Sequence, residues 1–333
     1  MKNLSRVLRS LIHPKEYNKA PRLPNGRFQC PEHWGFALPS KCPGTLPKIP
    51  PDDILNLHLP VIKPDFTPPT EDKCKLTWLG HASVLLQVNG FNVLTDPVYS
   101  ERVSPVSFAG PKRYRPPPCS VEDLPPLSAV LISHNHYDHL DMATISQISK
   151  KYPEVKWFTP LENAKFLQSA DVDIKQIVEL DWWQSQDISF EGSRFKVTCV
   201  PAQHWSKRTL FDTNKSLWGG FIVSGLEGSF YFAGDTGYSP VFHAIGNRFG
   251  KQSISAIPIG AYQPRSVMSP QHIDPIEAIK IHKEVFSCHS VGIHWGTFVL
   301  TDEDYLEPRE MLENEDSFSA VNPGESCVVP WKL

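Results

Sequence analysis

A chain of 333 residues with 40 % hydrophobic content can bury a substantial core, and one large domain accounts for most of its length. The net charge of -3 and a pI near 6.5 leave no basic excess for a general affinity for phosphate backbones, so no nucleic-acid partner is expected. Seven cysteines without a C-x-x-C pair fit neither a disulfide framework nor a zinc ribbon and point to a reducing, intracellular compartment. No segment approaches the roughly 20 apolar residues that crossing a bilayer requires.

Segment 1–20 places Leu4, Val7, Leu8, Leu11 and Ile12 at helical spacing with Lys2, Arg6 and Arg9 among them, and no acidic residue precedes Glu16. Such a basic amphipathic stretch suits peripheral contact with an anionic membrane or a mitochondrial transit signal; it equally suits a helix packed on the domain or a frayed terminus. Residues 21–70 are crowded with proline, which predicts an extended arm rather than helices or a regular sheet. Trp34, Phe36, Leu55 and Leu57 give that arm apolar side chains to pack on this domain or on a second subunit.

The main domain, 71–333, takes on regular patterning from Lys75. Residues 76–79 and 84–88 read as strands, and Asn89-Gly90 is a hairpin signal leading into a strand over 91–95. A buried strand over 129–133 is followed by helices over 141–148 and 162–168, with a short strand at 156–158 between them. The second half continues with strands over 195–200, 218–223 and 230–233 and a helix over 275–285. Strands in both halves with helices after them predict an α/β architecture of two packed sheets covered by helices.

His134-Asn135-His136-Tyr137-Asp138-His139 places three imidazoles and a carboxylate in a loop directly after the buried strand. Alternate residues of an extended turn can aim two imidazoles at one ion while the next pair turns to a second. Neutral imidazole and carboxylate are the ligands that zinc accepts at about 2.0–2.2 Å. A purely structural cluster would put several costly polar groups after a core strand with no evident partner. Further donors should come from other strand ends, and His204, Asp235 and His294 each close an apolar run. Taken singly, each is weaker: a lone histidine is more often structural and Asp235 could be a turn residue.

This pattern resembles the metallo-β-lactamase superfamily from about Lys75 to Trp295, with the H-x-H-x-D-H motif matched in full and followed in order by His, Asp and His. The resemblance implies an αββα sandwich of two mixed sheets flanked by helices. It also implies two zinc ions per chain: His134, His136 and His204 at one, Asp138, His139 and His294 at the other, and Asp235 bridging them. Two ions about 3.5–4 Å apart can hold a hydroxide nucleophile, polarise the scissile group and stabilise the charge that develops. No cysteine stands at Asp138 or Asp235, unlike the arrangement of a true β-lactamase.

Patterns outside the donor set narrow the family. Residues 78–83 (Trp-Leu-Gly-His-Ala-Ser), Thr95-Asp96-Pro97, Gly260-Ala261-Tyr262-Gln263-Pro264-Arg265 and Gln271-His272-Ile273-Asp274-Pro275 resemble the N-acyl-phosphatidylethanolamine-hydrolysing phospholipases D. That resemblance covers about Asp65 to Phe298 and implies a zinc-dependent homodimer cleaving a phospholipid phosphodiester at a membrane surface. By the same resemblance, His81 and Asp96 support the metal shell, Asp96 by accepting an imidazole N–H, and His272 protonates or stabilises the leaving alkoxide. Gln271, Arg265 and Tyr262 then become candidate substrate contacts. The plainer alternatives are a turn carboxylate for Asp96, a cap or surface residue for His272, an ion-pair residue for Arg265 and core aromatics for Tyr262 and Trp295. Ser266-Val267 stand where bulky aromatics are expected in animal members, which leaves acyl-chain preference open. A lactonase or phosphodiesterase of a small soluble substrate is the rival reading on the same fold. A non-catalytic scaffold whose ions only hold the sheets together is the alternative outside enzymology.

Overall fold

In the computed structural model, which describes residues 19–38, 46–106, 108–190 and 192–333, Asn89 and Gly90 both adopt positive φ (48° and 76°), the requirement of a two-residue type I′ hairpin. They join strand β2 (Ser83–Val88) to β3 (Phe91–Thr95), and β1 (Lys73–Gly80) pairs on the other side of β2. Then come β4 (Ala129–Leu131), β5 (Lys156–Pro160), β6 (Ile177–Leu180), β7 (Ser185–Phe190), β8 (Ser193–Val200), β9 (Gly220–Ser224), β10 (Ser229–Phe232), β11 (Ile254–Pro258), β12 (Ser290–Ile293), β13 (Phe318–Ser319) and β14 (Ser326–Pro330). They form two seven-stranded sheets, ordered β14-β1-β2-β3-β4-β5-β6 and β13-β12-β11-β10-β9-β8-β7.

Both sheets are mixed. Strands β3 to β6 run parallel in the first and β10 to β13 in the second, with antiparallel pairs completing each. Period-2 alternation sorts the β2 side chains: Val84, Leu86 and Val88 enter the core between the sheets, while Leu85 faces an outer cluster under the helix Met142–Lys151. That helix starts at Asp141, whose side chain accepts from the N–H groups of Ala143 and Thr144, and it buries Ile145 and Ile148. Helix Pro275–Glu284 starts on a capping box of Asp274 and Glu277 with proline at its first position.

The arm departs from the sequence expectation. Asp52–His58 is a helix, opened by Pro51 and two acidic residues in its first turn, and it buries Leu55 while Leu57 points to solvent. The arm packs on its own domain: Trp34 stacks on Trp182 with ring centroids 5.9 Å apart, and Phe28, Cys30 and Leu59 join the inter-sheet core. Residues 1–18, with the basic amphipathic pattern, lie outside the described residues. Among the described residues no helix is long and apolar enough to cross a membrane.

Strand direction places the chemistry. In the first sheet β1, β3 and β4 end at the same edge, and in the second β8, β10 and β12 do. His81, Asp96 and the 134–139 loop follow the first three; His204, Asp235 and His294 follow the second three. One end of the sandwich therefore collects them all, at the carboxyl ends of the strands where such sheets form their sites.

Candidate metal centre

The donors converge as two groups. His134 Nε2 lies 2.8 Å from His136 Nδ1, and His204 Nε2 lies 3.3 Å from the same atom. Asp138 Oδ2 lies 3.5 Å from His139 Nε2 and 3.4 Å from His294 Nε2. Asp235 stands between the groups, its Oδ2 3.9 Å from His134 Nε2, 3.7 Å from His204 Nε2, 3.0 Å from His139 Nε2 and 3.1 Å from His294 Nε2.

Ring nitrogens at such separations repel if all present lone pairs, and hydrogen bonds cannot resolve the cluster. His139 Nε2, His294 Nε2 and Asp235 Oδ1 are buried without a hydrogen-bond partner. Buried ring nitrogens and a carboxylate oxygen gathered at one centre without well-formed hydrogen bonds are costly in a metal-free protein and are what divalent ions satisfy. The residues fit the two ions: His134, His136 and His204 would hold one, Asp138, His139 and His294 the other, and Asp235 would reach both.

The surrounding contacts fix which nitrogen is free. Ser133 Oγ donates to Asp96 Oδ2 at 2.6 Å, so its lone pair accepts from His134 Nδ1–H at 2.9 Å. His139 Nδ1–H donates to Asp96 Oδ2 at 2.6 Å, and Asp96 Oδ1 accepts from the Ser133 N–H at 2.7 Å. His204 Nδ1–H donates to the Gln271 carbonyl at 3.0 Å. Each arrangement occupies Nδ1 and leaves Nε2, directed at the centre, as the nitrogen an ion would take once any proton on it is lost. His81 Nε2 lies 2.9 Å from Asp138 Oδ2, while its carbonyl accepts from the His294 N–H. His81, Asp138, His139 and His294 also form a group with ligand atoms within 4.8 Å of one another.

Burial and charge pull the imidazoles apart. Burial drives His134 well below its ordinary value, His136 down to about 4 and His204 to about 3. Burial opposes charge on His139 and His294 too, but Asp235 and Asp138 outweigh it, raising His139 well above its usual value and His294 to about 9. Without ions, protons on these two rings balance the carboxylates.

His272 sits over this centre, 5.2 Å ring to ring from both His204 and His294, with a buried Nδ1 that has no partner. Burial holds it near 3 and therefore neutral. It and Gln271 occupy the turn after helix Arg265–Met268, not the start of the following helix, and both N–H groups donate to the Met268 carbonyl. The Gln271 side chain accepts from Trp205 Nε1–H at 2.6 Å.

Two expected substrate contacts are placed otherwise. The Arg265 fork is taken up by Glu277 at 2.6 Å, Asp274 at 3.3 Å and the His272 carbonyl at 2.7 Å, so it braces the His272 turn instead of facing the ions. Tyr262 is buried and its hydroxyl donates to Glu307 at 2.6 Å; Trp295 is likewise core, stacked 5.2 Å from Trp78. Sequence reasoning also missed three residues at the centre. Ser133 sets the His134 tautomer, Trp205 packs edge-on 4.7 Å from His136, and Arg208 donates to the Asn135 and Leu140 carbonyls, clamping the ligand loop. Only Trp205, next to His204, carried any signal. A small cleft beside His294 is lined by Ile49, Tyr114 and Phe298 together with the polar Thr301, Glu303 and Asp304.

Comparison with known proteins gives the chain its family. A family profile described as a beta-lactamase superfamily domain matches residues 91–295. An N-acyl-phosphatidylethanolamine-hydrolyzing phospholipase D 1 of Caenorhabditis elegans is 44 % identical over 75 % of this chain and 74 % of its own length. The mitochondrial N-acyl-phosphatidylethanolamine-hydrolyzing phospholipase D of Saccharomyces cerevisiae is 38 % identical over 72 % of this chain, which spans only 52 % of that relative. Among solved structures, an isothiocyanate hydrolase from Delia radicum gut bacteria superposes with a TM-score of 0.60 at 23 % identity, over 76 % of this chain and 98 % of that one, a likeness of fold. The chain belongs to the beta-lactamase superfamily of metal-dependent hydrolases and, within it, to the family of N-acyl-phosphatidylethanolamine-hydrolysing phospholipases D.

Proposed function

We propose that this chain is a zinc-dependent phospholipase D that hydrolyses N-acyl-phosphatidylethanolamine to N-acylethanolamine and phosphatidic acid at a membrane surface. Kinship with the nematode phospholipase carries the substrate; the donor cluster supports the chemistry. Two zinc ions in these donor groups supply Lewis-acid polarisation of a phosphoryl oxygen and activation of water. Asp96, Ser133 and the Gln271 carbonyl occupy Nδ1 of three imidazoles and so fix Nε2 as the nitrogen that faces an ion. His272, neutral and unpartnered at Nδ1, serves the phosphate or the leaving alkoxide as a hydrogen-bonding group, since its low proton affinity argues against a standing imidazolium acid.

The test is hydrolysis of N-acyl-phosphatidylethanolamine in mixed micelles by the full chain, alongside His136→Ala and a chelator-treated sample. Release of both products, abolished in both controls, is the expected result. A folded, ion-loaded protein that releases neither product would sink the substrate assignment and favour a lactonase or a phosphodiesterase of a soluble substrate.

A further inference from the structure

Three large apolar side chains stand almost fully in solvent near the metal centre: Leu210 at 80 %, Phe211 at 78 % and Phe108 at 82 % exposure. Scattered exposed apolar residues are ordinary, but Leu210 and Phe211 sit on a loop whose backbone is held by many hydrogen bonds. In the 205–215 loop, Asp212 Oδ1 accepts from the N–H groups of Arg208 and Thr209, and the Asn214 side chain accepts from the Ser206 N–H. From outside, Arg27 donates to the Phe211 and Thr213 carbonyls, and the Phe28 N–H donates to the Asn214 carbonyl. A loop fixed by so many bonds yet offering Leu210 and Phe211 to water has an apolar surface without a partner among the described residues.

The second tip shares its root. Tyr137, within the metal-ligand loop, donates its hydroxyl to the Arg208 carbonyl at 2.8 Å, and its ring packs with Val98, Val103 and Phe298. Val98 and Val103 begin the excursion that carries Phe108, which Arg113 ties down through the Val98 and Ser100 carbonyls. Both tips therefore spring from the strand-end face that holds the ions.

The charges beside them are positive. Lys207 and Lys215 form no ion pair among the described residues, and the one acid of their loop, Asp212, is turned inward as a cap. Around Phe108, Lys112 is paired with Glu101 at 2.8 Å, which leaves Arg102, donating to the Gly110 carbonyl, as the cation there without an ion pair among the described residues. Apolar tips between cations match the boundary of an anionic phospholipid bilayer, where acyl chains meet negative headgroups.

We infer that Leu210, Phe211 and Phe108, with Lys207 and Lys215, form a docking edge that seats the metal centre on an anionic phospholipid bilayer. This rests on the lipid-substrate reading, since a soluble substrate would need no such edge. A bilayer contact at both loop roots would bring a phospholipid headgroup to the His272 side of the centre without the lipid leaving the membrane.

The experiment compares the full chain with the triple variant Phe108→Ser, Leu210→Ser, Phe211→Ser, each loaded with zinc and matched for thermal midpoint and bound metal. Co-sedimentation with vesicles of phosphatidylcholine and phosphatidylglycerol should show affinity about thirtyfold weaker in the variant, roughly 2 kcal/mol at 1.4 kcal/mol per decade. Hydrolysis of a short-chain N-acyl-phosphatidylethanolamine dissolved as monomers should be unchanged. Lys207→Gln with Lys215→Gln should weaken binding to the anionic vesicles and leave binding to pure phosphatidylcholine alone. Vesicle affinity equal to that of the unsubstituted chain would overturn the docking edge, whichever other part of the chain held the membrane. If no form of the lipid is hydrolysed while binding still depends on the three residues, the docking edge stands and the substrate reading falls. Should the triple variant lose its fold, Phe211→Ser alone gives the same comparison, because that side chain lies outside the core.

Discussion

Replacing Asp96 by asparagine keeps volume and removes one acceptor, which isolates the tautomer argument. Asp96 is fully buried and accepts three donors: the Ser133 N–H, the Ser133 hydroxyl and His139 Nδ1–H. If the asparagine carbonyl faces the Ser133 N–H, its NH2 meets the other two. His139 must then accept at Nδ1, which moves its proton to Nε2, the nitrogen aimed at the ion. Losing an orienting partner of this kind costs roughly 10–100-fold in metal affinity, or about 1.4–2.8 kcal/mol. Competition with a fluorescent zinc chelator should show one of the two ions bound that much more weakly, with hydrolysis falling in parallel and regained at higher zinc. Asp96→Ala should do worse, because it orphans buried donors at roughly 1–3 kcal/mol each. An asparagine variant that holds both ions with unchanged affinity would refute the claim that Asp96 sets the His139 tautomer.

Further outcomes follow from the same geometry. His272→Gln should lower kcat by about 10²–10³ while both ions stay bound, as removal of a charge-stabilising donor does; a drop in zinc content would instead make His272 a ligand, which its grouping with His204 and Asp235 permits. Zinc uptake should release protons, because His294, raised to about 9, and His139, raised well above its usual value, must lose theirs to bind. The sign is that uptake strengthens as pH rises towards about 9 and weakens as pH falls. Calorimetric titration of the metal-free protein in two buffers of different ionisation enthalpy should report about two protons near neutrality, and none released would contradict the charge balance drawn for the site.

Residues that announce themselves locally were readable in the sequence. The 134–139 cluster follows a strand of five apolar or small residues, and β-runs that end in His204, Asp235 and His294 imply a common edge once the strands are taken as parallel. A role for Asp96 as acceptor of an imidazole N–H was readable, though neither its choice of His139 nor its bonds to Ser133 were. What stayed hidden depends on tertiary neighbours. Arg265 resembles a phosphate-binding cation until Asp274 and Glu277, nine and twelve residues later, are seen to occupy it. Tyr262 sits between glycine and proline like an exposed loop aromatic, yet its hydroxyl finds Glu307 across the fold. Ser133 was invisible because only its distance to His134 and Asp96 gives it meaning. The arm helix was masked by the density of prolines, although Pro51 ahead of Asp52-Asp53 is a helix-start signal in its own right.

The split of the donors between the sheets has a mechanical consequence. His134, His136, Asp138 and His139 hang from the first sheet, and His204, Asp235 and His294 from the second. An ion held by these donors would be a removable rivet through both halves, joining chain positions as distant as His139 and His294. The rest of the seam between the halves is apolar contact, so ions at this end would set how far the active face can gape. Loss of metal would then unfasten the edge that meets substrate first, leaving the far end of the seam closed.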